Sequence, residues 1–296
     1  MRRIAIVHTG ADLATSRALS HDVLAPARQV AQALGRAMPF DVRILDDPRA
    51  EPIGCDALVI PGQGLADAAQ VDAFLAGPDV SDWFAFLRAC HASGATLVTS
   101  CSGVLLLAAA GLLDERACTT SWFLAPFLAH RHPRVRVHAD ALVVEDGPFI
   151  TGGAALAQGE AVLALVARMA GFEVADLTAR YLLLDNRRSQ ADFRLMRPLV
   201  AGDPLLAEAE RWTRARLAEG FSIPDLARAL GTTSRTLARR LARACGMSPI
   251  AFVNHIRREE ALRLLAAGSR FDQAAYAVGY SDPSALRRLL GRVRGR

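Results

Sequence analysis

Over the first 170 residues, short β-branched apolar runs alternate with longer Ala- and Leu-rich stretches. Ile4–Val7, Asp41–Leu45, Ala57–Ile60 and Thr96–Thr99 read as strands, because short apolar runs between turn signals fit buried strands. Leu24–Met38, Val80–Ser93 and Ser102–Ala110 read as helices. Ala141–Thr151 holds two short strands around Asp146-Gly147, a dipeptide suited to a tight hairpin turn. Ala155–Met169 and Val174–Leu184 follow as helices. Such alternation predicts an α/β layer fold with a largely parallel sheet.

The pattern changes after Leu184. Asn186-Arg187-Arg188-Ser189, Pro198 and Gly202-Asp203-Pro204 mark a linker over 185–203. Beyond it no strand pattern occurs. Helical blocks at 205–218, 223–230, 234–244, 249–267, 271–278 and 283–293 are separated by Gly or Pro. The expected organisation is an α/β domain over 1–184, the linker, and an all-α domain over 204–296. A length of 296 residues also suits two domains at about 150 each.

One pattern occurs twice in the helical part. Ser222 is placed to cap a helix that begins at Ile223-Pro224, and Gly231 to end it. Thr233 or Ser234 then caps a basic helix with Leu237 and Leu241 facing inward. Phe271–Val278, Gly279, and Ser281 or Asp282 repeat the arrangement ahead of Leu286, Arg287, Arg288 and Leu290. A short helix, a Gly turn and a basic helix make a helix-turn-helix. The long block 249–267 is suited to holding the two units apart. At a separation of about 34 Å they could enter successive major grooves.

Charge sharpens this division. The formal net charge is +5, and all 35 basic residues are Arg. Residues 1–203 carry 18 Arg against 22 Asp and Glu, a net of −4; residues 204–296 carry 17 against 8, a net of +9. A basic half behind an acidic one suggests nucleic acid as partner of the second half only. The plainer reading of those arginines is a solvated helix face.

Other classes are set aside on composition. At 52% hydrophobic and 22% charged residues, the chain is neither disordered nor fibrous. Its longest apolar run, Val104–Leu113, is about half a membrane span, and Ile4–His8 is too short for a signal-peptide core. No membrane partner and a cytoplasmic location are expected. The five cysteines form no C-x-x-C pair, so neither a metal site nor a disulfide framework is expected, and no cofactor.

The helical half carries a family resemblance. Leu226–Leu241, Gly246-Met247-Ser248-Pro249, Arg257–Leu265 and Ala277–Asp282, in that order and spacing, resemble the AraC-type DNA-binding domain over about 85 residues. The resemblance implies duplex DNA as partner. It puts Thr233, Ser234, Arg235, Ala238 and Arg239 against DNA from the cap and first recognition helix. Pro283, Ser284, Arg287 and Arg288 take that role on the second. Ala285 and Leu290 depart from the family, which often has an aromatic or His and a Phe there. The second unit is therefore expected to hold phosphates more than read bases. RNA polymerase is implied as a further partner.

In the first half, Thr96–Thr99, the turn Ser100–Gly103 and Val104–Ala110 make a strand–turn–helix with Cys101 at its bend. A nucleophile elbow has this form. A Cys at a helix N-terminus is expected to be partly exposed with some thiolate character. Pro61-Gly62-Gln63-Gly64 follows another strand and lines the same mouth, where open α/β sheets bind ligands. The backbone N–H groups of Gln63 and Ser102 are placed to hold an anionic or carbonyl group.

Leu58–Gly62, Ser100–Gly103, Ala110–Asp114 and Thr119–Trp122 resemble the PfpI-type, flavodoxin-like branch of the class I glutamine amidotransferase-like superfamily, over about residues 3–171. Together with the helical half, the chain resembles GlxA-like transcriptional regulators. The resemblance implies a small-molecule-sensing α/β domain that forms a homodimer. Its pocket would take Asp22, Gly62, Gln63, Cys101, Ser102, Ser121 and Trp122. The hydrolytic machinery departs from the family, because Ser102 and Ser121 stand where a His would serve as base. His91, His130, His132 and His138 occupy no motif position. A vestigial Cys101 and no enzyme activity are the expectation. The rivals are a cysteine-dependent amidase or hydrolase with a DNA-binding tail, and a redox or carbonyl-stress sensor acting through Cys101.

Overall fold

The computed structural model describes residues 2–37, 40–47, 54–65, 67–78, 80–184, 196, 200 and 202–291. The chain divides into two compact units, Met1–Ala191 and Asp192–Arg296. The expected linker lies mostly outside the described residues. Two residues within it, Met196 and Val200, are buried in the core of the second unit.

The first unit opens with β1 (Arg2–Val7), α1 (Ala14–Ala33), β2 (Phe40–Leu45), β3 (Ala57–Ile60), α2 (Ala68–Leu75), α3 (Val80–Ala92), β4 (Thr96–Ser100) and α4 (Gly103–Ala109). It continues with β5 (Ala117–Cys118), α5 (Ala125–Arg131), β6 (Arg136–Val137), β7 (Val143–Asp146), β8 (Phe149–Gly152), α6 (Gln158–Ala170) and α7 (Phe172–Tyr181). Six strands form one sheet in the order β2-β1-β3-β4-β8-β7. All its pairings are parallel except β7 with β8, the expected hairpin.

Strand side chains alternate between two cores. Ile4, Ile6, Ala57, Val59 and Val98 pack with α1, α6 and α7 on one face. Ala5, Val7, Leu58, Ile60 and Leu97 pack with α2, α3 and α4 on the other. A period of two on each strand therefore builds three layers. The central strands are apolar on both faces, as a sheet covered on both sides requires. The carboxyl ends of β1, β3, β4 and β8 meet at one edge, where the segments at 8–13, 61–63, 101–102 and 152–153 emerge.

The first helix differs most from expectation. The sequence pattern predicts a helix over Leu24–Met38, but the helix starts at Ala14 and holds Pro26 inside. An interior Pro costs about 3 kcal/mol. The buried stripe Ser16, Ser20, Val23, Leu24, Ala27 and Ala31 outweighs that cost. Gly35, at φ 70, then turns the chain, and Met38 lies outside the described residues.

The second unit contains α8 (Pro204–Ala215), α9 (Ile223–Ala229), α10 (Ser234–Cys245), α11 (Pro249–Ala266), α12 (Phe271–Ala277) and α13 (Pro283–Gly291). Ser222 and Asp225 form a capping box at α9, and Thr233 caps α10. Asp282, rather than Ser281, supplies the bond to the first turn of α13, accepting from Ser284 N at 2.8 Å. Gly279, at φ 85, makes the second turn, and a Cβ there would collide with the Leu217 carbonyl oxygen. A partly buried ionic network ties α8 to α11. Arg214 donates to Glu210 at 2.8 Å and to Glu259 at 2.7 Å, and Glu259 also accepts from Met196 N at 2.7 Å.

Candidate effector site and nucleic-acid interface

Cys101 bridges β4 and α4 with φ 53, a conformation that non-glycine residues rarely adopt. Its N–H donates to the Gly153 carbonyl at 2.7 Å and the Gly152 carbonyl at 3.1 Å, which fixes the bend to the end of β8. Gly103 permits the bend: a Cβ there would collide with Thr99 Oγ1 and stand 2.8 Å from the Pro61 carbonyl oxygen. Gly62 lies against the same turn, and a Cβ on it would stand 3.2 Å from the Cys101 Cβ.

The thiol differs from the partly exposed, thiolate-leaning one that the sequence predicts. Cys101 is 5% exposed, and burial pushes its thiol up. Contact with Ser121 and bonds from the Ser102 N–H and side chain pull it down less strongly. Ser121 Oγ reaches no partner at good hydrogen-bond geometry, so its contact with the sulfur is a weak one. A buried thiol among hydroxyls replaces the partly exposed, thiolate-leaning one, because the helix end does not outweigh desolvation.

The expected oxyanion cradle is also filled from within. Gln63 N donates to Ser102 Oγ at 3.0 Å, so the Ser102 hydroxyl stands where a ligand oxygen would have to go. Gln63, Ser102 and Ser121 are fully buried, while Trp122 is half-buried beside Phe123 at 5.3 Å.

Asp22 does not join them. Its carboxylate is 70% exposed and faces His21 at 3.4 Å. The α1 residue that reaches the mouth is Ser16, whose Oγ accepts from Gly62 N at 3.1 Å. The long start of α1 displaces the register by several residues relative to the sequence reading.

A polar rim went unread in the sequence. Asp12 Oδ1 meets His8 Nδ1 at 2.6 Å and accepts from Thr9 N at 3.0 Å. Arg17 stands 3.6 Å from the other Asp12 oxygen. Thr9 donates to Gln63 Oε1. The signal for it was position: these residues follow β1, at the strand ends where α/β sheets place ligands.

On α10, Leu237, Leu241 and Cys245 are buried. Arg235, Arg239 and Arg243 repeat every four residues on the opposite face, all exposed. Ala238 and Ser234 are half-buried and Thr233 is exposed at the cap. The second recognition helix differs. Arg287 lies over the Phe271 ring at 5.5 Å, and Arg288 donates to Ser284 Oγ at 3.2 Å. Both arginines remain exposed.

Residues 226–296 match the helix-turn-helix domain family. The chain is 26% identical over 183 residues to the HTH-type transcriptional regulator GbdR of Pseudomonas aeruginosa, covering 61% of this chain and 50% of the relative. The match therefore spans about half the length of that relative. It is 29% identical over 235 residues to the HTH-type transcriptional regulator GlxA of Rhizobium meliloti, covering 74% and 72%. Among solved structures, a THiJ/PfpI family protein from Pseudomonas syringae superposes with a TM-score of 0.51 at 20% identity, covering 70% of this chain and 89% of the other. That likeness gives the fold. The chain thus carries a helix-turn-helix domain behind an α/β unit with the fold of a THiJ/PfpI family protein, and is similar to HTH-type transcriptional regulators.

Proposed function

We propose that this protein is a sequence-specific DNA-binding transcriptional regulator whose α/β unit senses a small molecule. The observation that carries the reading is the exposed stripe Arg235, Arg239 and Arg243 on the second helix of a capped helix-turn-helix. A helix with one buried apolar face and one arginine face fits a major groove. The second helix-turn-helix, with Arg287 and Arg288 engaged by Phe271 and Ser284, serves phosphates more than bases.

The effector meets the mouth beside Gly62, Cys101 and Trp122, at the His8, Thr9 and Arg17 rim, while Ser102 and Ser121 back it from inside. Its differential affinity for two states shifts the regulator between them. Self-association through the α/β unit, read by sedimentation of the full chain, and contact with RNA polymerase complete the proposal. Domain limits at 184 and 204 belong to it as well.

A hydrolase is disfavoured by chemistry. The groups around the Cys101 sulfur are hydroxyls and a backbone N–H, which cannot serve as general base near neutral pH. The Gln63 N–H is already engaged.

The test is site selection from randomised duplexes by the full chain. One sequence should emerge, and Arg239→Ala should cost about 1–3 kcal/mol on it and relax preference at one position. Absence of any bound sequence at low salt would overturn the reading.

A further inference from the structure

A cleft of about 600 Å³ in the second unit is lined by Gly202, Asp203, Arg239, Arg240, Arg243 and Ala244. It lies between the start of α8 and the flank of α10. We propose that this cleft holds a phosphate of the DNA backbone, gripped by Arg243, and that Asp203 limits the grip by neutralising Arg240. The proposal rests on the reading of α10 as a recognition helix.

Charge comes first. Arg240 Nε pairs with Asp203 Oδ2 at 2.9 Å. Arg239 and Arg243 pair with no carboxylate among the described residues, and both are exposed. Three guanidinium groups against one carboxylate leave the cleft with two uncompensated positive charges. The carboxylate is itself bound at its other oxygen, where Oδ1 caps α8 by accepting from Leu205 N at 3.0 Å and Leu206 N at 3.3 Å. It is thus held by both neighbours and is not free to fold over Arg243. Guanidinium pairs are suited to phosphate oxygens by their planar fork.

Geometry points to the DNA backbone. At 3.6 residues per turn, Arg243 is turned about 40° from Arg239, and Arg240 about 100°, toward the same side. A helix about 10–12 Å wide fills a major groove about 12 Å wide. Residues at the centre of the stripe then face bases, and those turned toward one side face the phosphate wall. The cleft opens on that side.

Binding of the full chain to a short duplex of arbitrary sequence, followed against salt, tests this. Each phosphate contact contributes about 0.9 to the slope of log affinity against log salt. Arg243→Ala should lower the slope by about that amount and weaken all sequences alike, and Arg243→Lys should restore it. Asp203→Asn keeps a capping side chain, frees Arg240, and should steepen the slope and tighten binding. An unchanged slope in Arg243→Ala, or an unchanged one in Asp203→Asn, overturns the proposal while wild-type binding keeps the regulator reading. Inorganic phosphate binding that Arg243→Ala abolishes without altering the DNA slope assigns the cleft to a free phosphorylated ligand, and also overturns it. A wild-type chain that binds no duplex overturns both.

Discussion

At the scale of single residues, desolvation decides the chemistry of Cys101 and Cys118. The turn that carries Cys101 aims it into the protein, and its thiol is pushed up by burial. Cys118 is pushed up to about 12 by the same cause. Cys55 goes the other way: a hydrogen bond with Cys90 lowers it, and it is 7% exposed. The thiolate is the reacting species. Iodoacetamide should therefore label all five slowly in the native protein, and Cys55 first, as peptide mass spectrometry would read. Labelling of Cys101 ahead of Cys55 would revive a sensor built on its thiol. The sequence made the turn legible, because Ser100-Cys101-Ser102-Gly103 sits between a strand and a helix. It did not reveal exposure. Whether Ser102 Oγ turns toward Gln63 N is a matter of tertiary packing, and the spacing of 39 residues between them carries no local signal. Asp22 failed for a related reason. Each residue by which a helix start shifts changes the phase of the later residues by about 100°, and α1 starts ten residues before Leu24.

At the scale of elements, local rules were most legible where one side chain satisfies one backbone group. The capping box at Ser222 and Asp225, the left-handed Gly231 and the cap at Thr233 all follow from residue type. Four elements were not legible. α2, β5, α5 and β6 span too few residues for a period to stand out, and they form because neighbours bury them. The two glycine turns look equivalent in sequence, yet only one is crowded. At Gly231 a Cβ meets nothing within 4 Å, so Gly231→Ala pays only the left-handed backbone, about 1–2 kcal/mol. At Gly279 a Cβ strikes the Leu217 carbonyl, which is backbone and cannot swing away. Gly279→Ala should therefore destabilise the helical unit distinctly more than Gly231→Ala in urea unfolding. Equal losses would mean that the α8 end is free to move aside.

At the scale of the whole molecule, the two units differ in how they use charge, and acid should separate them. Burial pushes the Glu259 carboxyl up, but bonds from His255, Arg214 and Met196 N–H outweigh it and hold the group below its ordinary value. Glu260 is held low chiefly by Arg263, Asp225 by Ser222, and Asp282 by Ser284. In the α/β unit Asp146 is lowered, chiefly by the Ala117 N–H. A carboxyl lowered in the folded state contributes stability that is complete above its unfolded pKa, about 4, and is lost as pH falls through the folded value. The helical unit holds four such groups and the α/β unit one among the described residues. Hydrogen exchange of the full chain, read by peptide between neutral pH and about pH 3, should show the helical unit losing protection first. Glu259, with its side chain 17% exposed against 20% for Glu260, is the most buried of the four and so is the least screened. Glu259→Gln should cost about 1.5–3 kcal/mol at neutral pH, the worth of hydrogen bonds to a charged group. It should also flatten the acid response of that unit, because glutamine has no proton to gain. Equal acid sensitivity in both units, or an undiminished acid response in Glu259→Gln, would show that the network joining α8 to α11 does not govern the stability of the helical unit.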